Sequence, residues 1–298
     1  MTSKGKTAGR LLLFLVLAFG IAWIPALIMN KKIGYSEWFE TNRYFLFVLP
    51  LLYAPAIANV LTRLITKEGF GETYLRLRLR GNVRYYILAA VIPLAAGLIT
   101  GLSATLMFGK FDLTEIRSNA SWKMVVGFFL SIVTAGPVAA FQTIGEEFGW
   151  RAYMDQKMEP LIGTVGTCII GGIIWGLWHA PLTVEGHNFG KDYPGYPYAG
   201  FAMMALFCTL HGIVLLWLVK KTGSVIPAAI FHAVNNNGGF GASSLLISGI
   251  KDMEGFSGSM GKQALTLIPY AVFCLGIMIS MVADKRRTKQ EVPQQKAA

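Results

Sequence analysis

TIGEEFGWRAYMDQKMEPLIG, residues 143–163, places two adjacent glutamates and an arginine directly behind a long apolar run. Hydropathy alone ends a membrane span near Ile144 and leaves Glu146 and Glu147 at the interface, where a charge is tolerated. The chain gives no turn signal, however, until Glu159-Pro160, and the only potential breaker before it is Gly149. The helix is therefore expected to continue through the glutamates for about three more turns. A hairpin turning near residue 161 then sets Glu146 opposite residue 176, within about one helical turn of His179 in IIWGLWHAP (173–181). At about 1.5 Å per residue, Glu146 lies about 20 Å from that turn, inside the membrane.

The surrounding composition supports a membrane solvent. The chain has 298 residues, 54% hydrophobic and 14% charged, with a mean hydropathy of +0.50. Soluble domains carry about 25% charged residues. Eight apolar stretches are long enough to be read as spans, near 11–30, 44–65, 84–108, 123–145, 162–180, 198–219, 224–240 and 264–283. The expected fold is all-α, a polytopic membrane helix bundle of about eight transmembrane helices. It forms one integral membrane domain over 1–298, with the chemistry in 121–240 and a disordered basic tail over 285–298. The basic run before the first span is followed by too long an apolar segment for a cleaved signal peptide, so that helix is read as retained.

The net charge of +11 suggests nucleic acid until it is mapped. Lys4, Lys6 and Arg10 precede the first span. Arg63, Lys67, Arg76, Arg78, Arg80 and Arg84 surround the second connection, Lys220 and Lys221 the sixth. Lys285, Arg286, Arg287 and Lys289 follow the last span. That asymmetry is the mark of cytoplasmic loops on anionic lipid, so nucleic acid is not an expected partner. Both termini and loops 2–3, 4–5 and 6–7 are assigned to the cytoplasm, most simply of the plasma membrane. Opposite-side loops such as 31–43 and 109–122 have mixed charge. Cys168, Cys208 and Cys274 lie in apolar spans without metal-binding spacing and read as small buried hydrophobes. Residues 70–80, FGETYLRLRLR, alternate leucine and arginine and read as an interfacial strand or amphipathic segment. Residues 184–200, rich in Gly, Pro and aromatics, read as an irregular loop.

A third polar element is SVIPAAIFHAVNN (224–236), where Ser224 is a fair N-cap, Pro227 suits the first turn, and His232 and Asn236 share a helix face. Each intramembrane charge costs about 2.5–3.5 kcal/mol on insertion scales, so these groups are expected to converge on a shared cavity. Adjacent glutamates diverge by about 100° around a helix and cannot do the same job. Glu147 and Arg151, at i and i+4, can pair. Glu146 is left to face the cavity as a general base. His179, His232 and Asn236 can stabilise an oxyanion, or the histidines can hold a metal.

Three motifs in this order, EExxxR as Glu146-Glu147…Arg151, [F/W]xxxH as Trp175…His179 and HxxxN as His232…Asn236, resemble the CAAX protease and bacteriocin-processing family of intramembrane endopeptidases. The resemblance covers roughly 121–240. It departs from the family at Ala152, often glycine, and at Trp175, commonly phenylalanine. It implies cleavage of a membrane-associated peptide or protein substrate, with Glu146 activating water, His179, His232 and Asn236 stabilising the transition state, and Glu147 and Arg151 in support. It implies either no cofactor or one divalent metal, zinc, on a Glu146, His179 and His232 set.

The plainer readings are specific too. His211, alone in FCTLHGIVLLW, reads as a satisfied core residue, and Glu185 and His187 as solvated loop residues. GASS (241–244) faintly resembles a serine-protease motif, but Ser243 has no placed base. No HExxH, GxGD or P-loop is present. The competing function is a non-catalytic immunity or scaffold protein that binds a peptide in the same cavity, with a proton-coupled transporter third.

Overall fold

The computed structural model describes residues 3–32, 44–109, 140–239, 250 and 252–295, and among these it contains helices and loops but no strand. Residues 123–139 of the expected fourth span, most of loops 31–43 and 109–122, and the 241–244 turn lie outside the described residues. The first helices are α1 (Ser3–Lys32), α2 (Tyr44–Ile65) and α3 (Val83–Phe108). Residues Ala140–Trp178 are helical throughout but reverse at Gly163, giving two arms, α4 (140–162) and α5 (164–178). Then come α6 (Tyr198–Thr222), α7 (Ile226–Val234) and α8 (Ile268–Gln295). Five helical stretches are long and apolar enough to cross a membrane: Ser3–Lys32, Val83–Phe108, Ala140–Trp178, Tyr198–Thr222 and Ile268–Lys285. The apolar part of α2 (Leu51–Ile65) is shorter. So is α7, which ends in a π turn, Asn235–Gly239. The protein is an all-helical integral membrane bundle. Helix α8 runs past Asp284 to Gln295, into the stretch expected to be disordered.

The reversal rests on one glycine. Gly163 has φ 74° and ψ 173°, a region open essentially to glycine alone. Across the turn, a Cβ on Gly171 would lie 3.1 Å from Asp155 Oδ1 and 3.5 Å from Met154 Cε, so the two arms face each other. The turn falls two residues beyond its expected position, because Pro160 is accommodated within the helix.

Each arm then packs through a pair of glycines one turn apart. On α4, a Cβ at Gly145 would lie 2.8 Å from the Leu52 carbonyl oxygen, and one at Gly149 only 2.5 Å from the Pro55 carbonyl carbon. On α5, a Cβ at Gly172 would lie 2.3 Å from Thr209 Cα, and at Gly176 2.5 Å from Ala205 Cα. Without a hydrophobic drive between helices in lipid, such small-residue seams let backbones approach closely. They seat α4 on α2 and α5 on α6. Helix α1 closes the outside: Phe14 packs on Trp150 and Tyr153, and Trp23 donates to the Trp178 carbonyl at 2.9 Å.

The basic connections gather at one end of the bundle. Glu68 accepts from Lys157 and from the Tyr153 hydroxyl, with Arg10 at 3.6 Å. Burial pushes its carboxyl up, but these partners outweigh that and hold it below its ordinary value. Glu159 takes Lys220 at 2.6 Å and Lys285 at 3.1 Å. The 70–80 segment at this end is neither strand nor helix. Leu75, Leu77 and Leu79 are exposed, no strand among the described residues pairs with it, and its Tyr74 carbonyl accepts from the Val225 N–H at 2.8 Å.

These seams are testable. Gly176→Leu should abolish the monodisperse, detergent-solubilised species on size exclusion. Gly163→Ala, strained but unclashed, should cost about 1–3 kcal/mol of unfolding free energy. A Gly176→Leu variant that elutes and melts like wild type would contradict the packing.

Candidate active site

Helix α4 widens into a π turn over Trp150–Met154, a feature often found at functional sites. The Asp155 N–H bonds to the Trp150 carbonyl, and the Arg151 carbonyl accepts instead from Gln156 Nε2 at 3.0 Å. At the same level Asn59 Nδ2 donates to the Phe148 carbonyl at 2.8 Å. Glu147, Arg151 and Asp155 stand at successive i, i+4 positions, a spacing that brings side chains together on one helix face. Arg151 Nε donates to Glu147 Oε2 at 3.2 Å and Nη1 to Asp155 Oδ2 at 3.0 Å. All three side chains are buried. The guanidinium also lies 4.7 Å above the Trp175 ring, a cation–π contact of desolvated type. The expected Glu147–Arg151 pair is present. Asp155, unremarked in the sequence because it falls outside the EExxxR pattern, completes it.

Glu147 does a second job. Its other oxygen, Oε1, accepts from His232 Nδ1 at 2.8 Å. That bond fixes the His232 ring and leaves Nε2 for the cavity. His179 is fixed likewise, its Nδ1–H donating to the Trp175 carbonyl at 2.9 Å. Glu146, 3% exposed, has one oxygen held by the Trp175 indole N–H at 2.8 Å. Trp175 sits one residue from the position expected opposite Glu146. A phenylalanine there could make no such bond, so this departure from the family pattern touches the proposed base directly.

Glu146, His179, His232 and Asn236 all line one cavity of about 460 Å³. So do His187 and His211, which brings all four histidines of the chain to one space. His187 is therefore not a solvated loop residue. The irregular 184–197 loop folds it inward, and burial pushes its ring below the ordinary histidine value. His211 is satisfied, as expected, but partly by an unforeseen residue: Nδ1–H donates to the Phe207 carbonyl at 2.9 Å and Nε2 faces Asn235 Oδ1 at 2.8 Å. Apolar walls from Leu51, Trp178, Met204 and Phe207 complete the cavity.

The proposed zinc set does not come together in this arrangement. Both histidines keep Nε2 for the cavity, but among the described residues no three His, Cys, Asp or Glu side chains group closely enough to hold a metal ion. The Glu146 oxygen engaged by Trp175 is also unavailable as a bidentate ligand.

Comparison with known proteins agrees with this geometry. The Rce1-like family model, type II CAAX prenyl endopeptidase, matches residues 120–238, which carry Glu146, Glu147, Arg151, Asp155, Trp175, Asn236 and all four histidines. Over these residues the chain is similar to the type II CAAX prenyl endopeptidases, in keeping with the resemblance its three motifs carry. It is similar to CAAX prenyl protease 2 of Methanococcus maripaludis, 25% identical over 226 residues, 72% of this chain and 78% of that protein. It is also similar to lysostaphin resistance protein A of Staphylococcus haemolyticus, 24% identical over 149 residues, 49% of this chain but only 35% of that one.

Removing one partner of a buried ion pair leaves an uncompensated charge. Arg151→Ala should therefore cost about 3–5 kcal/mol, read as thermal unfolding in detergent. A wild-type melting temperature for that variant would show that the cluster does not hold the fold.

Proposed function

We propose that the protein is an intramembrane endopeptidase in which the Glu146 carboxylate activates water. The observation that carries this reading is the lining of a single cavity by Glu146, His179, His232 and Asn236. A substrate carbonyl entering the cavity meets donors on one side and Glu146 on the other. Glu146 takes the proton of the attacking water, its carboxylate held in aim by the Trp175 N–H. The tetrahedral oxyanion is met by the Nε2–H of His232, doubly protonated against the Glu147 carboxylate, and by an Asn236 N–H; His179 Nε2 accepts from the water and orients it, and Glu146 passes the proton it took to the leaving amine. Glu147 holds His232 so that Nε2 points at the oxyanion. No step of this mechanism passes through a metal. Effects of this kind are large: losing one oxyanion donor costs about 10²–10³ in kcat.

The substrate class we propose is the C-terminal region of a membrane-associated protein or peptide, either of CAAX type or a processed bacteriocin-like peptide. The clustering of Arg10, Lys157, Lys220 and Lys285 at one end of the bundle supports both termini facing the cytoplasm of the plasma membrane. Similarity to a lysostaphin resistance protein favours one alternative, a non-catalytic immunity or scaffold protein binding a peptide through the same cavity.

The deciding experiment uses purified protein in bicelles and an internally quenched peptide ending in a farnesylated cysteine plus three residues. C-terminal proteomics of expressing cells extends it to other substrates. Wild type should cleave and Glu146→Ala should lose activity by at least about 10³-fold while folding normally. Glu146→Ala cleaving at the wild-type rate would refute the mechanism, and no Glu146-dependent fragment in either assay would favour the scaffold. About one bound zinc per chain, with turnover lost on chelation and restored by zinc, would replace the metal-free mechanism with a zinc one.

A further inference from the structure

The three consecutive asparagines at the end of α7 are not equivalent. Asn237 Nδ2 donates to the Ala233 carbonyl at 2.8 Å, closing the helix. Asn236 is exposed to the cavity, and its Oδ1 lies 3.2 Å from Asn235 Nδ2. Asn235 in turn meets His211 Nε2 at 2.8 Å. Nothing in the motif reading assigns a role to His211 or Asn235. Yet they join α6 to the residue that the mechanism above uses as an oxyanion donor.

The imidazole is clamped. It stacks on Phe207 at 3.9 Å between centroids and meets Phe231 at 5.6 Å and Tyr270 at 5.5 Å. Its Nδ1–H is committed to the Phe207 carbonyl. The ring therefore cannot turn, and Nε2 has one direction, toward Asn235. Two proton arrangements satisfy the chain beyond it. With a doubly protonated ring, Nε2–H donates to Asn235 Oδ1, and Asn235 donates to Asn236 Oδ1, leaving both Asn236 N–H bonds for the cavity. With a neutral ring, the two amides turn over: Asn235 donates to Nε2, Asn236 donates to Asn235, and one Asn236 N–H remains for the cavity. Either way the amide of Asn236 is held in place, and at least one donor is kept for the guest.

We propose that His211 and Asn235 are positioning residues that fix the Asn236 amide for the oxyanion. The proposal rests on the endopeptidase reading, so its test must separate the two. A side chain free to rotate on a π turn samples several rotamers, and misplacement by about 1 Å can cost about 10² in rate. A purely structural His211 would change stability but not the split between kcat and KM.

The test measures kcat, KM and melting temperature for His211→Phe, His211→Gln, Asn235→Ala and Glu146→Ala on the Glu146-dependent reporter. Alongside it, the His211 Nε2 resonance is followed by ¹⁵N-imidazole NMR of the full chain in detergent. His211→Phe keeps the stacking and removes Nε2. It should lower kcat by on the order of 10²-fold, with KM within about twofold. His211→Gln, whose amide nitrogen falls near Nε2, should recover most of the rate. Asn235→Ala should match His211→Phe in rate and shift the His211 Nε2 resonance, and it stands in if the phenylalanine variant does not fold. Full kcat in His211→Phe or Asn235→Ala, with Glu146→Ala inactive, would overturn this proposal and leave the endopeptidase reading intact. An unchanged Nε2 resonance in Asn235→Ala would overturn it whatever the activity. Cleavage that survives Glu146→Ala would instead overturn the endopeptidase reading, and the proposal with it.

Discussion

The guanidinium of Arg151, 1% exposed within a membrane-spanning helix, is the constraint from which the rest follows. A lone buried charge is prohibitive and a paired one is tolerable only with good geometry. Arg151 has it on two sides, from Glu147 and Asp155, with the Trp175 face beneath. Those partners come from one π-widened helix and the arm that folds back on it. The hairpin must therefore close tightly, which requires the backbone freedom of Gly163 and the glycine seams against α2 and α6. A larger residue at Gly172 or Gly176 would lift α5 away and remove Trp175 from both Arg151 and Glu146.

The cluster also divides labour by oxygen atom. Glu147 gives Oε2 to Arg151 and Oε1 to His232, so the element that neutralises the buried cation also sets the tautomer of a cavity histidine. Glu146 gives Oε2 to Trp175 and keeps Oε1 for the cavity. Both oxygens of Glu147 are thus used by the fold, whereas Glu146, His179 and His232 each have one atom used by the fold and one left over. The leftover atoms share a single space. Satisfying the fold-facing atoms leaves rings and carboxylate rigid, and rigid donors need little reorganisation when charge develops.

Much of this was legible in the sequence, and the limits are physical. The absence of any breaker between Gly149 and Pro160 gave the extended helix, and the hairpin arithmetic put Trp175 beside Glu146 to within one residue. The i, i+4 spacing gave Glu147–Arg151. Asp155 stands at i, i+4 from Arg151, a spacing that a regular helix also pairs, and was missed because it falls outside the EExxxR pattern; what spacing could not give is the π turn over Trp150–Met154. No sequence periodicity announces that turn. His187 was misjudged because a Gly/Pro-rich loop has no period from which to read its direction. The leucine–arginine alternation of 70–80 has strand spacing, but among the described residues no strand pairs with it, so it stays a loop. Asn235 was passed over in favour of Asn236 because spacing reports which residues share a face, not which of two neighbours is held by another helix.

The leftover atoms bear on the choice between protease and passive binder. Each intramembrane charge costs about 2.5–3.5 kcal/mol to insert, and hydrogen bonds within the fold offset that for Arg151, Asp155 and Glu147. No such return comes from the second oxygen of Glu146, the Nε2 atoms of His179 and His232, or the amide of Asn236, whose remaining donors face the cavity. A peptide-binding scaffold gains from donors and acceptors spaced to match extended backbone amides. It gains nothing from a carboxylate set in a cavity with two imidazoles, because a peptide amide presents only one N–H for the carboxylate and one carbonyl for the rings. Water placed between that carboxylate and a carbonyl held by the rings uses every one of these groups at once, and each interaction strengthens as the proton leaves and the oxyanion forms.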